Sequence, residues 1–174
     1  LVLLHGMQND EIIKEIQNCD FVVDPICSAT PMAGFATEAA YIGKPAVVGG
    51  YAFDYLKTFV PDGMWPPSKT CMPGEIENAI EDLIVNQEER LRIGEEAKRF
   101  VREKWNPAAV ARRYGRLIEG DIPDDWWLDP NEVIYLHGAG QSEERTKENV
   151  KTMVTQFGVS SLQLGHRPDL ERAF

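Results

Sequence analysis

The residues best equipped for chemistry gather between Thr30 and Gly49, in T-P-M-A-G-F-A-T-E-A-A-Y-I-G-K-P-A-V-V-G, where Glu38 is the one carboxylate. Gly34 permits a turn that a side chain would block, residues 35–41 read as the first turns of a helix, and Gly43 closes it. A helix starting at the carboxyl end of a strand points unpaired N–H groups and a positive dipole end into the crevice where open α/β sheets take ligands. Such an end binds anions. Glu38 is expected within the first turn, where the dipole favours a carboxylate, and a carboxylate there can accept both hydroxyls of a ribose. Asp24 and Lys44, near strand ends, are further polar candidates.

These residues need elements to hold them. Residues 46–48, Ala-Val-Val, form a short apolar run suited to the inside of a parallel sheet. Upstream, residues 1–4 predict a buried strand ending at His5-Gly6, with Met7 and Gln8 in the crevice position. Asn9 or Asp10 can cap the helix that follows, Ile12, Ile13 and Ile16 form its apolar stripe, and residues 20–25 predict the next strand, stopped by Pro25. Gly49-Gly50 after the central strand can let a backbone approach a ligand closely. Residues 51–60 predict a short helix or turn, and residues 64–72 hold at most a short edge strand, because two prolines would break a central ladder.

From Pro73 onward the pattern is helical. Ile76, Ala79, Ile80, Leu83 and Ile84 share one face; Leu91, Ala97, Val101 and Trp105 make a second; Val110, Ala111, Tyr114, Leu117 and Ile118 make a third, opened by Asn106-Pro107.

The order G-F-x-T-E-A-x-x-x-G-K-P-x-V-V resembles the carboxyl-terminal, donor-binding half of GT-B glycosyltransferases, especially retaining enzymes of family 4. The resemblance covers residues 1–119. It implies a Rossmann-like open parallel sheet flanked by helices, truncated at its amino-terminal side, and a nucleotide-sugar donor as ligand. In that family two glutamates flank the loop, the second holds the nucleotide's ribose, and nearby amides support the diphosphate and sugar. Glu38 matches the second glutamate, and Gly34 and Phe35 match the G-F pair. The first glutamate's position, eight residues earlier, is Thr30 in this chain. The amides of Gly34, Phe35, Ala36 and Thr37 are then expected to face the sugar or phosphates, with Gly6, Met7 and Gln8 on the base side. The resemblance further implies that the diphosphate cations and the acceptor belong to a missing amino-terminal part, and that no metal or other cofactor is needed. The fragment alone is expected to be inactive.

Composition sets limits on the partners. The 174 residues fit one core, and 18 basic against 28 acidic side chains give a net charge of −10, which argues against nucleic acid and an anionic membrane as partners. Cys19, Cys27 and Cys71 lack C-x-x-C spacing and point to free thiols in a reducing, cytoplasmic setting. No apolar run approaches a membrane span, and His137 and His166 lack the partners of a metal site. His5-Gly6 after a strand also occurs in α/β-hydrolases, but no G-x-S-x-G elbow is present.

Residues 1–4 start mid-strand with neither initiator Met nor cap, which suggests a piece of a longer protein. Residues 120–131 read as a linker in which Trp126-Trp127 anchor the tail to the body or stack on sugars. The remaining 132–174 read as strand, helix and strand: 132–137, then a Gly138-Ala139-Gly140 turn, a Ser142 cap, a helix over 146–157 with Val150, Met153, Val154 and Phe157 inward, and a strand over 160–164. This tail completes the sheet or starts another module. Two other functions fit the same sequence: a sugar-nucleotide 2-epimerase using His5 and Asp24 near the crevice, and a non-catalytic α/β interaction module.

Overall fold

The computed structural model describes residues 1–51, 53–129 and 143–172. Among them is a three-stranded, all-parallel sheet in the order β1 (Val22–Val23), β2 (Ala46–Gly49), β3 (Lys69–Cys71). Val22 lies opposite Ala46 and Val23 opposite Val47, while Val47, Val48 and Gly49 meet Lys69, Thr70 and Cys71. The pairing continues past β1, since Gly49 N donates to Pro25 O at 3.0 Å and Ser28 N to Gly49 O at 2.8 Å. β2 is buried along its whole length, as an apolar run without polar alternation requires of a central strand.

Side chains on β2 alternate between two helical layers. Ala46 and Val48 pack with Ile16 of α1 (Asn9–Asn18), with Ala36, Ala39 and Ala40 of α2 (Gly34–Ile42), and with Ala97, Phe100 and Val101 of α5 (Gln87–Lys104). Val47 packs on the other face with Ala79 and Leu83 of α4 (Ile76–Val85) and with Ile93 of α5. Helices on both faces are what a parallel sheet needs, and each fully buried aliphatic side chain contributes about 1.5–3 kcal/mol. The alanines of α2 let α5 come close. A Cβ added at Gly94 would lie 2.4 Å from Gly43 O, so the two helices meet at glycine.

Helix ends follow the sequence in most places. Gly43 closes α2 in the left-handed region at φ 96°. Asn86 and Asn106 cap α5 and α6 (Pro107–Glu119) by accepting from Glu89 N at 3.0 Å and Ala109 N at 2.9 Å. The cap of α1 is Gln8, one residue before Asn9 and two before Asp10, the expected caps; its backbone N–H donates to Glu11 Oε2 at 3.1 Å. A short α3 (Phe53–Lys57) follows β2.

Several expectations change. Residues 1–4 are not a strand: Leu1, Val2 and Leu3 are exposed, and the two-residue β1 takes its ladder from β2. The α6 stripe is only partly covered, with Tyr114 64% and Ile118 85% exposed, and the buried residue of α6 is Ala109, outside that stripe. Leu91 on α5 and Ile84 on α4 are exposed as well. In the tail, α7 (Glu143–Phe157) matches the expected helix, but Phe157 is exposed. Residues 160–164 fall in 3-10 turns (Val159–Leu162 and Leu164–His166) ahead of a short α8 (Pro168–Glu171), because Gln163 turns the chain at φ 54°. The predicted strand over 132–137, the 138–140 turn and the Ser142 cap lie outside the described residues. Trp126 is half-buried under the Arg116 guanidinium, 5.4 Å from its ring, whereas Trp127 is exposed. No helix among the described residues is long and apolar enough to cross a membrane.

Candidate functional site

The β1–loop–α2–β2 unit sets the start of α2 at the carboxyl edge of the sheet, since α2 must run back antiparallel to the two strands it connects. Its N-cap is Ala33, which supplies no side-chain acceptor to the first-turn amides. Gly34, Phe35 and Ala36 are therefore the residues whose N–H groups open toward the crevice. Ala36 is fully buried and Phe35 packs into the core, so these two offer only backbone to a ligand. The expected Thr37 amide is not among the open N–H groups, because it donates to Ala33 O at 2.9 Å as the first intrahelical bond, and the Thr37 hydroxyl donates to the same oxygen at 2.8 Å.

Glu38 stands in the second turn, not the first. The helix begins at Gly34 itself, so no acidic residue falls in its first turn. Glu38 is half-buried, and its Oε1 accepts from Asn9 Nδ2 at 3.2 Å. Asn9 directly follows Gln8, so this bond brings the end of the Gly6–Met7–Gln8 turn to Glu38. Gly6 is exposed with φ 66°, as a glycine turn requires, and Met7 is half-buried.

The loop before α2 is closed on its own atoms. Ser28 is buried, and its Oγ accepts from Thr30 N at 3.0 Å. The Thr30 hydroxyl accepts from Met32 N and donates to Met32 O, both at 3.4 Å. Thr30 is thus a loop-shaping residue in this conformation. The glycine pair Gly49-Gly50 makes room for the protein's own atoms: a Cβ at Gly49 would sit 2.0 Å from Ile26 O, and one at Gly50 2.2 Å from the Phe53 ring.

Asp24, past β1, is half-buried, and that burial pushes its carboxyl above the ordinary range. Lys44 is no part of the crevice. It precedes β2 at the opposite end of the sheet and donates to Cys19 O at 2.6 Å, holding the end of α1.

Two features escaped the sequence. Asn9 reads as a cap candidate, and nothing local reveals its partner 29 residues away. Beside Glu38, Ile13 and Gln17 of α1, Thr37, Tyr41 and Ile42 of α2 and Val101 of α5 line a groove of about 460 Å³. Its apolar walls come from side chains that periodicity alone assigns to the core. Among the described residues no group of three or more His, Cys, Asp or Glu is placed to hold a metal ion. Comparisons with protein-family models, curated proteins and solved structures give no match.

Proposed function

We propose that this chain is the donor-binding part of a GT-B-type glycosyltransferase, built on a Rossmann-like sheet and binding a nucleotide-sugar. The observation that carries the reading is the uncapped start of α2 at the carboxyl edge of a parallel sheet, with Glu38 one turn further in and tied to the start of α1. Amides at a helix start favour a diphosphate, and a carboxylate beside them accepts ribose hydroxyls. The residues assigned to the donor are Glu38 for the ribose, the backbone of Gly34, Phe35 and Ala36 for phosphate or sugar, and the Gly6–Met7–Gln8 turn for the base.

In this reading, bond cleavage depends on stabilising the departing diphosphate with preorganised N–H groups. The acceptor is held by another domain, as the resemblance implies. Titration calorimetry of the chain with UDP, GDP and ADP and their common sugar conjugates, repeated on Glu38→Ala, tests the assignment. One nucleotide should bind, and the variant should lose it; binding of none, or equal binding by the variant, contradicts the reading.

A further inference from the structure

A carboxylate on an open helix face samples several rotamers, and recognition improves when one of them is held in advance. Asn9 Nδ2 supplies that hold on Glu38 by donating to Oε1 at 3.2 Å. Both ends of the bond ride on packed elements. Asn9 is the first residue of α1, directly after a cap that is itself bonded to Glu11. The two helices share one core through Ile16 and the alanines of α2.

The donor is also neutral. A lysine or arginine there would draw the carboxylate into an ion pair and offset its charge. A single amide N–H instead engages one oxygen and leaves Oε2 as a full-strength acceptor. Asn9 therefore restrains one oxygen of Glu38 and leaves the other open.

We propose that Asn9 is a positioning and specificity-determining residue: it holds one oxygen of Glu38 so that the other is presented to a ribose hydroxyl. This rests on the nucleotide-sugar reading above. The test uses the full chain, Asn9→Ala and Asn9→Asp, titrated with whichever of UDP, GDP or ADP binds tightest and with its 2′-deoxy counterpart. Aspartate is favoured in the first turn of a helix and alanine is a good helix former, so both variants keep α1, and thermal melts verify it.

The ribose-to-deoxyribose affinity ratio is the readout, because a general loss of stability or a change in charge acts on both ligands alike. The wild-type chain should prefer the ribonucleotide, and each variant should lower that preference about fivefold. An unchanged ratio in both folded variants overturns the role of Asn9 while leaving the donor reading intact. A wild-type chain that binds no nucleotide, or binds both forms equally, overturns the ribose role of Glu38 and the inference with it.

Discussion

Asn9 and Glu38, 29 residues apart in sequence, are joined side chain to side chain at 3.2 Å, and this bond links the start of α1 to the second turn of α2. It lies toward solvent, so its net contribution to stability is small, about 0.5–1 kcal/mol. Its removal should act on ligand binding far more than on folding. Glu38→Ala is expected to weaken nucleotide binding by about 10- to 100-fold, the worth of one hydrogen bond to a charged group, with the melting temperature nearly unmoved. Calorimetry and a thermal melt on one preparation check both halves, and a large fall in melting temperature would recast Glu38 as a structural residue.

Asp24 gives a pH signature. Burial raises its folded carboxyl above the ordinary value, so the native state holds this proton more tightly than the unfolded chain. The stability contributed by that proton is present below the unfolded value and is lost as pH rises through the folded one. Asp24→Asn should therefore be more stable than wild type at neutral pH, with the difference shrinking as pH falls to the unfolded aspartate range. Melting temperatures of both proteins across the acid range measure it, and a difference that grows on acidification refutes it.

Gly94 is a steric contact point between α2 and α5. An alanine Cβ there would meet Gly43 O at 2.4 Å and Pro45 Cδ at 3.2 Å, and neither neighbour is a flexible side-chain end. Gly94→Ala raises helix propensity yet is expected to destabilise by about 1–3 kcal/mol, the usual range for overpacking. At this chain length that is a fall of roughly 2–12 °C in melting temperature. Gly115, with no atom within 4 Å of its would-be Cβ, is the control: Gly115→Ala should raise the melting temperature slightly.

Much of the scaffold was legible because short-range rules fix it. Gly43 as the left-handed end of α2, residues 46–48 as a buried strand and Asn106-Pro107 as a helix start each depend on a few adjacent residues. The turn that carries Glu38 was not legible, because Ala33 is a cap without a capping side chain and leaves the helix start unmarked. Residues 1–4 have strand composition, but composition does not supply a neighbour for pairing. The Asn9–Glu38 bond and the groove beside it depend on how α1 settles on α2, a packing relationship that single-sequence periodicity does not carry. Thr30 likewise matched a motif position whose hydroxyl the loop itself engages.

The uncapped start of α2 lets helix stability be tested apart from the proposed phosphate binding. A cap residue with a side-chain acceptor typically adds about 1 kcal/mol to a helix over alanine, so Ala33 leaves that stabilisation unused. Ala33→Asp should raise the melting temperature by roughly 2–4 °C. The same carboxylate would occupy the first-turn amides and repel a diphosphate at close range, and it should cost nucleotide binding about tenfold or more. Ala33→Ser, a neutral cap, should stabilise comparably while losing less affinity. A stabilised Ala33→Asp that still binds nucleotide like the wild type would mean that the phosphates lie elsewhere, because two anions cannot share the same few N–H groups without competing.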